Sequence, residues 1–197
     1  MDGNDFLGEE VSSNVQRYER MIRNKTQDYF DAEAIEGIID FYIHHEKYKK
    51  AMGAVEFGKE LYPMNVGFWI KKAEILVLHE KMDEAMAELD KAELYEPFNP
   101  DLFLLKGEVC VHLGQLAEAD EYFEKALMHS DERLDMLFEI AYVYDDCDMF
   151  EKAARYFLMI IEEEPELEQA YYELAHCYDM NGQFESSLYY LNKLIDI

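Results

Sequence analysis

The sequence predicts an all-α fold, a right-handed solenoid of stacked helix hairpins, and three observations carry that reading. Residue classes recur every 34 positions from Ala32 to the last residue. Within each block, small and bulky residues hold fixed places at helical spacing. Nine Gly and four Pro in 197 residues are few, and Pro63, Pro97 and Pro165 share one register.

The blocks are 32–65, 66–99, 100–133, 134–167 and 168–197, in phase and without insertions. Position 8 reads Ile39, Ala73, Gly107, Ala141 and Ala175, and position 20 reads Ala51, Ala85, Ala119, Ala153 and Ser187. Position 4 is always bulky, as Ile35, Trp69, Phe103, Leu137 and Tyr171, and so is position 24, as Val55, Leu89, Phe123, Phe157 and Leu191. A helix hairpin cannot bury its apolar stripe alone. The bulky positions fill the space between neighbouring helices, while the small ones let two backbones approach at their crossing. Proline at position 32 lacks an N–H and ends the second helix. Gly114 and Gly182 stand at position 15, where the first helix must stop and turn; the other blocks place Glu46, Glu80 and Asp148 there.

Taken in order along the chain, residues 1–12 are polar and acidic and are expected to be mobile. Residues 13–31 read as an N-terminal capping helix, with Ser13 and Gln16 as a capping box and Val15, Tyr18 and Ile22 as its apolar stripe. That segment also carries Arg17, Arg20, Arg23 and Lys25, the basic cluster of the chain, expected to pair with acidic neighbours. The five hairpins follow. At the far end Leu188, Ile195 and Ile197 stand where a further repeat would pack, so either the array continues beyond this chain or a second copy docks there.

The pattern of a small residue at positions 8 and 20, a bulky residue at 4 and 24 and proline at 32 resembles the tetratricopeptide repeat over all five blocks. Lys72 and Lys106 depart from it at position 7, and their stems are expected to lie along apolar neighbours with the ammonium led out to acids. Tyr29-Phe30-Asp31 and the acids that follow are similar to the lead-in of longer bacterial multi-repeat proteins. The resemblance implies a protein-interaction role, with the first helix of each repeat lining a concave groove through positions 2, 5, 6, 9, 12 and 13.

Charge narrows the partners. Eighteen Lys and Arg against 44 Asp and Glu leave a formal net charge of −26, which offers no electrostatic footprint for nucleic acid or anionic lipid. Half the residues are hydrophobic, with 15 Tyr and 12 Phe, so the acidity is not that of a disordered tail. No apolar stretch is long enough for a membrane span and the amino terminus shows no leader, which predicts a cytoplasmic protein. Cys110, Cys147 and Cys177 form no CxxC pair and are expected to be free thiols.

Nothing in the sequence points to catalysis, a metal or a cofactor. The six histidines are scattered, no HExxH or Gly-rich phosphate loop occurs, and the acidic turn around Cys147 lacks the Gly and closing Glu of a calcium loop. Position 5 of the implied groove runs Glu36, Ile70, Leu104, Phe138 and Tyr172, and position 9 runs Asp40, Glu74, Glu108, Tyr142 and His176. An apolar strip edged with carboxylates fits a peptide or helix with apolar anchors spaced by Lys or Arg. No register supplies the cations with which adaptors of this family clamp an acidic carboxyl terminus, so that function is excluded. The alternative is a structural protein that self-associates through Leu188, Ile195 and Ile197.

Overall fold

The computed structural model describes residues 3–196, and every regular element in that range is helical. The helices are α1 (Gly3–Asn24), α2 (Ala32–His44), α3 (Tyr48–Leu61), α4 (Gly67–Val77), α5 (Met82–Glu93), α6 (Pro100–His112), α7 (Leu116–His129), α8 (Arg133–Asp146), α9 (Phe150–Glu163), α10 (Glu168–Met180) and α11 (Phe184–Asp196). They fall into two compact units, Met1–Pro97 and Phe98–Ile197.

In the first unit α1 precedes the hairpins α2–α3 and α4–α5. The helix starts at Gly3, well before the expected Ser13, so Ser13 and Gln16 lie inside it and cap nothing. It also ends sooner, at Asn24. Lys25 takes a left-handed φ of 53°, and Thr26 N–H donates to Met21 O, a bond that closes the last turn. The buried stripe is Val15, Tyr18 and Met21, each 6% exposed, whereas Ile22 is 56% exposed. That stripe meets Phe30, whose ring packs edge-on to Tyr18 and Phe57. Arg17 lies over Phe30 and donates to Asp28 and to the carbonyl of Tyr29. Of the basic cluster, this is the member whose expected acidic partner is on hand.

In the second unit the hairpins α6–α7, α8–α9 and α10–α11 stack, with α8 touching both α6 and α7 and α10 touching α9. Asn99 caps α6 by accepting from Leu102 N–H, and Pro100 occupies the first turn, where its missing N–H costs no hydrogen bond. The bulky position 24 forms the core in two of these hairpins, with Phe123 and Phe157 at 0% and 1% exposure, whereas Leu191 in the last is 37% exposed. Gly107 sits against the Phe123 ring, and in the first unit Gly58 sits against the Phe68 ring. A Cβ at either would intrude on the aromatic face, so glycine here is a condition of close helix approach.

Position 15 is left-handed in all five hairpins: Gly114 and Gly182 at φ 73° and 74°, Glu46, Glu80 and Asp148 at 56°, 58° and 58°. The next residue then donates back to the carbonyl five earlier, as Gln115 N–H does to Cys110 O and Lys81 N–H to Leu76 O. Lys72 behaves as its sequence position predicts, reaching Glu56 at 3.0 Å and Glu88 at 3.6 Å. Lys106 is buried at 1% exposure, with its ammonium 5.5 Å from the Tyr122 ring centre.

Candidate functional site

The first helices of the hairpins are α2 and α4 in one unit and α6, α8 and α10 in the other. Each unit therefore carries its own part of the face assigned to ligand.

In the first unit this face is partly neutralised from within. Lys71 on α4 pairs with Asp40 on α2 at 2.9 Å and with Glu74 at 3.1 Å. The Lys71 ammonium is held above the usual lysine range: burial alone would lower it, but Glu74 and Asp40 outweigh burial. Glu36 accepts from Asn65 at 3.2 Å. Ile70, expected as an anchor, is only 7% exposed and belongs to the packing between helices. Little apolar surface is left at these four predicted positions, and one lysine serves two of their three carboxylates.

The second unit differs. Phe138 and Tyr142 stack on one another along α8, 6.1 Å between ring centres, and both rest edge-on against the buried Phe157. Tyr142 Oη donates to Glu173 at 3.2 Å and accepts from Gln169 Nε2 at 2.9 Å, both on α10. Burial and the Glu173 carboxylate raise the Tyr142 phenol, so it stays a neutral donor. Tyr172, on α10, is 60% exposed. Among the described residues Asp135, Glu139 and Glu173 have no ion pair. Leu104 is half-buried on α6, and Glu108 lies 3.8 Å from His112 on the same helix. His176 is exposed, with its ring against Phe150.

One rule links the two units. Position 9 of a repeat meets position 6 of the next, as Asp40 meets Lys71 and Tyr142 meets Glu173. Position 6 was expected to line the groove, but its residues were not among those singled out, although Lys71 there is what pairs with the position 9 carboxylate of Asp40. Its sequence signal is a change of class along the chain, Lys71 and Leu105 followed by Glu139 and Glu173.

Among the described residues no group of three or more His, Cys, Asp or Glu is placed to hold a metal ion. Cys110 and Cys177 are buried and Cys147 is half-buried, all as free thiols. Burial, with Asp145 beside it, pushes the Cys177 thiol up to about 12, away from the reactive thiolate. No helix among the described residues is long and apolar enough to cross a membrane.

Residues 100–128, which span α6 and nearly all of α7, match the family profile for the tetratricopeptide repeat (TPR). This third block is a tetratricopeptide repeat. A TPR protein from Parabacteroides merdae superposes with a TM-score of 0.68 at 14% identity, covering 98% of this chain and 76% of that one. The type IV pilus biogenesis factor PilW superposes with a TM-score of 0.64 at 22% identity, over 84% and 78% of the two chains. YrrB, described as a TPR protein with an unusual peptide-binding site, gives 0.51 at 22% identity, over 91% and 90%. No curated protein matches by sequence. These likenesses establish the TPR solenoid fold.

Proposed function

We propose that this chain is an interaction scaffold that holds a peptide or helix of a partner protein on the first helices of its TPR hairpins, chiefly α8 and α10. The observation that carries the reading is the stacked pair Phe138 and Tyr142 on α8 with the exposed Tyr172 on α10, on helices whose Asp135, Glu139 and Glu173 have no ion pair among the described residues. The partner segment is basic with apolar anchors: charge steers the encounter and selects sign, while the aromatics supply most of the affinity. YrrB offers the precedent of a peptide-binding TPR protein. The free thiols and the acidic surface fit a reducing cytoplasm, and the lead-in at Tyr29 fits a bacterial source.

A library of Lys/Arg peptides with apolar residues at every third or fourth place tests this. Binding should weaken at least tenfold between about 50 and 500 mM salt, and Phe138→Ala should cost on the order of 2 kcal/mol. Equal binding of acidic peptides, or an unaffected F138A variant, sinks the reading.

A second reading, self-association, rests on α11. Phe184, Leu188, Leu191 and Ile195 are 67%, 61%, 37% and 80% exposed and stand along one stripe of that helix. Ile197, the third residue expected there, lies outside the described residues. Light scattering across a hundredfold range of concentration decides it: a dimer lost in Ile195→Asp supports an α11 interface, and a monomer throughout excludes it.

A further inference from the structure

The corner where α8 packs between α7 and α9 is closed by a bridge of side chains. Asp120 on α7 accepts from Tyr144 Oη on α8, and Lys152 on α9 donates to both oxygens of the same carboxylate at 2.8 Å. These residues stand at positions 21, 11 and 19 of successive repeats. One repeat on, those positions are Ala154 on α9, Tyr178 on α10 and Ser186 on α11. A methyl has replaced the carboxylate and a hydroxyl the ammonium, and an open cavity of about 310 Å³ borders Ala154 and Tyr178.

The cavity has an apolar side, formed by Phe150, Ala154 and Leu158, and a rim rich in donors, Arg155, Asn181 and Gln183. Arg155 is exposed and makes no ion pair among the described residues, although its charge is also felt by Asp120. The carboxylate that also borders the cavity, Glu151, is engaged by Asn181 Nδ2 at 3.4 Å. We propose that this cavity is a binding site for a carboxylate carried on an apolar body, received by Arg155 in the place that Asp120 fills one repeat earlier. Arg is suited to the task because its fork of N–H donors matches a carboxylate. The apolar side supplies contact for the body of the ligand, and the volume accommodates one large side chain or a small acid. The ligand is opposite in charge to the one assigned to α8 and α10, and the two readings stand or fall separately.

The test uses the full chain labelled with nitrogen-15 and three probes: 3-phenylpropanoate, its amide, and the tripeptide acetyl-Gly-Ser-Phe with a free carboxylate. Both carboxylates should give saturable shifts of the Arg155 Nε–H and of the Asn181 and Gln183 side-chain amides, and the neutral amide should bind at least tenfold more weakly. Arg155→Leu should abolish the response, and Ala154→Asp with Ser186→Lys, which rebuilds the bridge, should close the site. Tighter binding of the tripeptide assigns the site to a polypeptide terminus, and tighter binding of the free acid assigns it to a small molecule. The proposal is overturned if neither carboxylate gives a saturable shift, if the amide binds equally, or if the response survives in R155L.

Discussion

The conformational demand on single residues is greatest where the chain reverses between the two helices of a hairpin. Position 15 is left-handed in every repeat, yet only Gly114 and Gly182 adopt that backbone without a Cβ clash. At Glu80, φ 58°, the side chain is exposed, so the residue contributes strain and little contact. Glu80→Gly should therefore raise stability by about 0.5–1 kcal/mol, the relief of the left-handed cost less the extra entropy of an unfolded glycine. Gly114→Ala should lower it by about 1 kcal/mol. Urea midpoints with unchanged slopes would establish both. An E80G variant that is no more stable would mean that the turn tolerates a side chain at no cost. The two glycines announced this turn in the sequence, and the three acidic residues concealed it, because an acidic residue at a helix end also reads as a solvated surface.

Between helices, legibility followed the repeat and failed outside it. The small and bulky positions appear where the 34-residue phase places them, because each hairpin faces the same packing problem. The N-terminal helix has no counterpart to be phased against, and the local capping signal at Ser13 was overridden by a helix that begins ten residues earlier. Ile70 was misplaced for a related reason: one apolar residue in a helix serves the core or the ligand face depending on a small rotation about the axis. Close approach of paired helices yields a sharp prediction at Gly107 in α6, which faces the Phe123 ring in α7. Gly107→Ala should cost about 1–3 kcal/mol by overpacking, and combining it with Phe123→Leu should cost less than the sum of the two single changes. Additive losses would show that the ring moves aside freely.

The Asp120 bridge ties three helices and carries a pH signature. Burial alone would raise the Asp120 carboxyl, but hydrogen bonds from Lys152 and Tyr144 outweigh it and hold the group below its ordinary value. A carboxyl depressed by folding contributes stability that is full above its unfolded pKa of about 3.9 and is lost as the pH falls through the lower folded value. Asp120→Asn should thus be less stable than the parent at pH 7, and the gap should narrow steadily below about pH 4. Chemical denaturation at half-unit steps of pH would show it, and a gap that stays constant into strong acid would remove the bridge from the account.

At the scale of the whole chain, charge is unevenly shared: 12 Lys and Arg with 21 Asp and Glu precede residue 98, and six with 23 follow it. The second unit thus carries nearly twice the net negative charge of the first, −17 against −9, on a similar length. Self-repulsion destabilises a compact state and is screened over about 10 Å at 0.1 M salt, so salt should stabilise the second unit more than the first. The chain provides its own reporter, because its single tryptophan, Trp69, lies in the first unit, whereas circular dichroism follows the helices of both. At about 10 mM salt the dichroism midpoint should fall below the Trp69 fluorescence midpoint, and the two should converge by about 500 mM as both rise. Coincident transitions at every salt concentration would show that the uneven charge does not separate the stabilities of the two units. In that case the acidity would act on the choice of partner and leave the stability of the fold untouched.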